Sequence, residues 1–112
     1  MATNITVTPA KKGTAKVTIS SFKDESGEAV TPTAVTWTLT DQVGNVINSR
    51  SAVSVTPGMS VSFLLTGDDL AIGGNGRQRV LTIVATYNST LGTGLTAPAQ
   101  AFFKIEDMVG VA

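Results

Sequence analysis

The residues able to do chemistry in this sequence are few, and their spacing narrows them further. Asp68 and Asp69 stand side by side, and paired carboxylates could supply part of a calcium site, because hard cations gather carboxylate and carbonyl oxygens. Such a site needs several oxygens to converge, whereas adjacent side chains diverge in an extended chain. The other reading is a cap: an Asp ahead of Leu70-Ala71-Ile72 can accept free N–H groups at the start of one short helical turn near residues 69–72. Asp24, Glu25 and Glu28 form a second acidic group, in a stretch with Gly27 and Pro32 that reads as a solvated loop. Gly73-Gly74-Asn75-Gly76 has the composition of a phosphate-cradling loop. Those loops lead into a helix whose N-terminus faces the anion, and here a strand-like stretch follows. Arg77 and Arg79, two apart on one strand face, could grip an acidic partner surface or blunt an exposed strand edge.

The missing residue types exclude more than the present ones suggest. Without histidine there is no Ser-His-Asp triad, no His-based zinc site and no imidazole base. Without cysteine there is no disulfide framework, thiol nucleophile or thiolate metal site. A carboxylate pair or a lysine would have to carry any catalysis, and no two acids are convincingly paired. We therefore expect a non-enzymatic protein with no cofactor and no bound metal. Eight basic residues balance eight acidic ones, which argues against a nucleic-acid partner, since phosphate binders carry a basic surplus. Hydrophobic residues make up 42% of the chain and charged ones 14%, a composition that folds. No run approaches the roughly 18 apolar residues of a membrane span, and Met1-Ala2-Thr3-Asn4 shows no secretory signal. Asn4-Ile5-Thr6 and Asn88-Ser89-Thr90 match the glycosylation pattern and read as chance matches in a chain rich in Asn and Thr.

The elements that must position these residues are strands. Ala34 to Asp41 alternates most cleanly, with Val35, Trp37 and Leu39 on one face and Thr36, Thr38 and Thr40 on the other. It reads as a central strand with Trp37 as the core pin. A first short strand carries Ile5 and Val7 before Pro9. Lys16 to Phe22 is a second, with a bulge or change of face near Ser20-Ser21 because Phe22 is out of phase with Val17 and Ile19. Asp41-Gln42-Val43-Gly44-Asn45 is a hairpin turn leading to Val46 and Ile47. Val53 and Val55, then Val61, Phe63 and Leu65, read as a second hairpin joined at Thr56-Pro57-Gly58-Met59. Arg77 to Asn88 is the longest strand, with Leu81, Ile83, Ala85 and Tyr87 on one face. A loop from Ser89 to Pro98 leads to a last strand, Ala99 to Glu106, with Phe103 inward and Phe102 outward.

Seven short strands at near-regular spacing, with almost no helix, predict one domain over residues 1–112: an all-β antiparallel β-sandwich. Its expected core is Trp37, Leu39, Phe63, Leu65, Leu81, Ile83, Tyr87 and Phe103. The candidate interface is Arg77, Arg79, Phe102, Met108, Val109 and Val111, because Phe102 faces away from the core and Met-Val-Gly-Val beyond the last strand has no further strand to cover it.

The runs A-V-T-W-T-L-T-D-Q-V-G-N-V-I, S-F-L-L-T-G-D-D-L, R-V-L-T-I-V-A-T-Y and A-F-F-K-I-E, across residues 30–107, resemble the immunoglobulin-like or fibronectin-like domains of tailed-bacteriophage structural proteins. Antibody domains carry two core cysteines around the tryptophan, and this chain has none. The resemblance implies an immunoglobulin-like sandwich in a virion: a capsid decoration or cement protein, or a neck, tail or baseplate accessory. Its partners would be major capsid or tail proteins in a symmetric multi-copy assembly, with no nucleic acid and no membrane. The alternative is an immunoglobulin-like binding module of a cell-surface or adhesive protein.

Overall fold

Among the described residues, the alternation of apolar and hydroxyl-bearing residues resolves into seven strands: β1 (Ala2–Ile5), β2 (Thr14–Ser20), β3 (Ala34–Asp41), β4 (Val53–Val55), β5 (Val61–Thr66), β6 (Gln78–Ser89) and β7 (Gly92–Lys104). The structure is a computed structural model and describes residues 2–5 and 11–107. Every strand pair is antiparallel, in two sheets ordered β1-β2-β5 and β4-β3-β6-β7. The chain is thus all-β, with one hydrophobic core that both sheets share. Among the described residues no helix is long and apolar enough to cross a membrane.

β3 occupies the stretch its alternation marks out, and Val35, Trp37 and Leu39 are all buried. Its neighbours are β4 and β6, so Trp37 lies opposite Val53 on one side and Ile83 on the other. The Trp37 ring stacks on Phe63 of the other sheet, with centroids 4.6 Å apart and planes 7° from parallel. Of the expected core, Trp37, Leu39, Leu65, Leu81, Ile83 and Tyr87 are buried. Phe63 and Phe103 are half-buried against the core, because β5 and β7 are edge strands with a neighbour on one side only.

Loop chemistry sets the connections. Ser21 takes a left-handed backbone (φ 59°), which reverses the side-chain parity and turns Phe22 into the core beside Val17 and Ile19. The Asp41 carboxylate accepts the backbone N–H groups of Val43, Gly44 and Asn45 at 2.9, 2.9 and 3.0 Å. Gly44 supplies the φ of 104° that this turn requires. A bridge between Thr40 and Val46 closes the hairpin.

Three expectations are corrected. β4 and β5 do not form a hairpin: β4 pairs with β3 and β5 with β2, so Thr56-Pro57-Gly58-Met59 crosses from one sheet to the other. Alternation reports which face of a strand is buried; it does not report which neighbour completes its hydrogen bonds. The stretch from Ser89 to Pro98 is not a loop either. β6 turns back at Ser89–Gly92, where Ser89 Oγ accepts the N–H of Leu91 and Asn88 Oδ1 that of Gly94. Gly, Thr and Pro residues that look like loop chemistry therefore lie in β7, where a proline is tolerated because the strand is an edge. The helical turn falls at Gly67–Leu70, with a second short turn at Gly73–Asn75, while Ala71 is already extended.

Truncating Trp37→Ala removes the ring that joins the sheets and should cost about 3–5 kcal/mol. Thermal or urea unfolding of the two proteins measures this, and equal midpoints would contradict the role given to the stack.

Candidate interaction surface

Residues directly opposite in an antiparallel pair share a face, and this sets the outer surface of the four-stranded sheet. Val46, Thr40, Val80 and Phe102 form one cross-strand row. Thr38, Thr82 and Gln100 form the next, and Ser54, Thr36, Val84 and Pro98 the one after. These rows carry hydroxyl, amide and apolar groups, with the charge of Lys104 at the rim opposite Gln78. Phe102 is 74% exposed. It flanks a shallow cleft of about 450 Å³ whose lining includes Gln42, Gln78, Val80 and Lys104. A sheet face with few charges and an exposed aromatic can bury area against another protein without stripping water from charges.

Arg77 and Arg79 do not act together. Arg77 is exposed; its Nε donates to the Ile105 carbonyl at 2.9 Å and its guanidinium lies 3.9 Å from Glu106. Arg79, expected beside it on the surface, is 1% exposed. It has the parity of Leu81 and Ile83 and so points inward, where the register sets it opposite buried Asp41. Its guanidinium donates to the carbonyls of Gly76, Gln78 and Ala71, each at 2.8 Å. Burial lowers the Arg79 pKa, and the Asp41 charge opposes that. The glycine-rich stretch thus lends the Gly76 carbonyl to a cation, the reverse of a phosphate cradle, whose N–H groups face an anion. Met108, Val109 and Val111 lie outside the described residues.

The acidic residues serve turns. Asp24 Oδ1 accepts the N–H groups of Ser26 and Glu28, and Glu25 accepts the Ser89 hydroxyl at 2.7 Å, tying its loop to the β6–β7 hairpin. Asp68 is exposed while Asp69 is fully buried. Among the described residues no three His, Cys, Asp or Glu side chains gather where they could hold a metal ion.

No protein-family model, curated protein or solved structure matches the chain. Its own chemistry carries the functional reading.

The strongest polar cluster is one that sequence reasoning missed. Asp69 Oδ1 accepts from Arg50 Nε at 2.7 Å and Asn48 Nδ2 at 2.9 Å, and Oδ2 accepts the Thr66 N–H at 3.0 Å. Arg50 also sits 5.7 Å from the centre of the Trp37 ring. Burial by itself raises the Asp69 pKa; the bonds from Arg50, Asn48 and Thr66, with the Arg50 charge, outweigh it and hold the carboxyl below its usual range. Arg50 and Asn48 lie 19 and 21 positions from Asp69 in sequence, beyond any local pattern. The capping chemistry of Asp69 was legible, although it caps from inside the turn, with Thr66 in the cap position. The parity of Arg79 was legible too, since it shares the odd-numbered face of Leu81.

Asp69→Ala strands a buried N–H and two side-chain donors, and should cost about 2–3 kcal/mol. Because the folded-state pKa of Asp69 is depressed, its contribution is complete above the unfolded value of about 3.9 and is lost as pH falls through the folded value. The stability gap between wild type and Asp69→Asn, followed by chemical unfolding against pH, should therefore narrow in acid below about pH 4. Arg79→Ala should cost about 3 kcal/mol, while Arg77→Ala should stay within about 0.5 kcal/mol. Equal losses from the two would contradict their separate placement.

Proposed function

We propose that this chain is a non-enzymatic structural protein of a tailed-bacteriophage particle, an immunoglobulin-like sandwich that stabilises its assembly through protein–protein contacts. A capsid decoration or cement protein, or a head–tail accessory, fits this reading. The observation that carries it is the outer face of β4-β3-β6-β7: rows of Thr, Val and Gln, with Phe102 exposed and charge confined to the rim. Such a face suits a permanent neighbour better than a soluble ligand, because it offers area and shape but few directional groups. The immunoglobulin-like arrangement is supported by the strand order. β3, β6 and β7 share a sheet, and β1, β2 and β5 the other, as the third, sixth and last strands of such sandwiches stand apart from the first, second and fifth. A decoration protein works by burying surface across joints of a shell, which stabilises the shell by mass action.

A second reading, an adhesive binding module, rests on Met59 and Leu91, both exposed in connections at one end of the strands. One experiment separates the two: sedimentation of the purified protein with the particle fraction, comparing Phe102→Lys with Leu91→Lys. The structural role predicts pelleting at fixed stoichiometry and an affinity loss of about tenfold or more for Phe102→Lys, the scale of an aromatic anchor. Wild-type protein that stays free of particles in every fraction, or a loss confined to Leu91→Lys, would overturn it.

A further inference from the structure

A strand at a sheet edge presents unpaired N–H and C=O groups that pair with another chain unless the edge is blunted. Among the described residues, three of the four edge strands are short or blunted. β1 and β4 span four and three residues. β7 contains Pro98 and ends at Lys104. The hydrogen bond from Ile105 N–H to Arg77 sets the alternation of that ladder, so Pro98, opposite Val84, falls in a pair without mutual bonds and its missing N–H faces the open edge.

β5 is different. Its sequence V-S-F-L-L-T has no charge, proline or glycine, the signature of a segment prone to strand pairing. The bond from Gly67 N–H to the Gly13 carbonyl sets its alternation: Leu65, Phe63 and Val61 bond to β2, while Thr66, Leu64 and Ser62 direct their backbone groups outward. The outward Thr66 N–H is taken by Asp69. Among the described residues no element pairs with Ser62 and Leu64 on that side, and the Leu64 side chain is 55% exposed.

We propose that β5 is a homotypic edge, to which a second copy of this chain adds its own β5 antiparallel about a two-fold axis. Ser62 then lies opposite the partner's Leu64, and Leu64 opposite the partner's Ser62, each pair exchanging both backbone bonds. A second copy fits because an antiparallel pair of identical strands maps onto itself, and an uncharged strand meets its own image without like charges opposed. The result is one continuous six-stranded sheet, twice the three strands of β1-β2-β5. The inference stands on the backbone of β5 and does not rest on the particle reading.

The test is sedimentation equilibrium of the full chain from about 10 µM to about 1 mM, the range that reads weak association, with amide exchange followed by NMR over the same range. The mass should rise from the monomer's 11.5 kDa toward twice that value. The Ser62 and Leu64 amides should gain about tenfold or more protection with concentration, while those of Gln100 and Phe102 on the β7 edge should not change. Leu64→Glu, at an exposed position opposite Lys16 of β2, should restore the monomer with the melting temperature of the dilute protein unchanged, and Phe102→Lys should leave association intact. A protein that stays monomeric at about 1 mM, or association that survives Leu64→Glu, would overturn the proposal. A chain that pellets with particles yet is monomeric when free sinks this inference alone; one that dimerises through β5 but never pellets sinks only the particle reading.

Discussion

The rest of the structure depends on the contact between Trp37 and Phe63. Two sheets can share a core only if side chains span the gap of about 10 Å between them, and this chain has one tryptophan to do so. It stands at the middle of the central strand β3 and meets an aromatic ring from the opposite sheet. Its indole N–H is buried and has no hydrogen-bond partner among the described residues, a cost that the apolar contacts of the ring must outweigh. Packing, not the polar end of the side chain, therefore selects its position. Arg50 extends the contact into the β3–β4 connection, since its guanidinium approaches the same ring and is held by Asp69.

With no cysteine to form a disulfide, the chain ties its irregular segments with buried charge. Asp41 organises the turn after β3, Arg79 gathers carbonyls ahead of β6, and Asp69 binds the turn after β5 to the β3–β4 connection. Among the described residues, that connection holds three of the five non-glycine residues with left-handed φ. Asn48, Ser49 and Ala52 all have left-handed φ values, at 52°, 57° and 49°, a conformation that costs on the order of 1 kcal/mol or more per residue outside glycine. The strain persists because the ends are fixed. Leu39 N–H donates to the Arg50 carbonyl, Ala52 N–H to Thr38 Oγ1, and Asn48 to Asp69.

The molecule's contact chemistry follows from what is left over. The core consumes the apolar faces of both sheets, and turns and caps consume Asp24, Asp41 and Asp69. Among the described residues, what remains outside includes a sheet face on β4-β3-β6-β7 with its charge at the rim and the outward backbone groups of Ser62 and Leu64 on β5, one offering side chains and the other backbone.

By itself the sequence determined the periodic elements and their buried faces. Val35, Trp37 and Leu39, like Leu81 and Ile83, declare a face every second residue because the pleat forces it, and Asp41 with Gly44 and Asn45 declares a turn because only certain residues satisfy its backbone. The uncharged outer face was equally readable in Thr36, Thr38 and Thr40. Tertiary structure alone decided which strands pair: β4 joined β3 and β5 joined β2, although one proline-glycine step separates them. It also decided the fate of the charges. Arg79 went inward and Asp69 found Arg50 and Asn48, because the value of a buried charge is set by partners that only the folded chain brings within hydrogen-bond reach. Hydrogen bonds between strands are made by backbone groups that every residue carries, so the sequence marks where a strand runs and leaves its neighbour to the packing of the core.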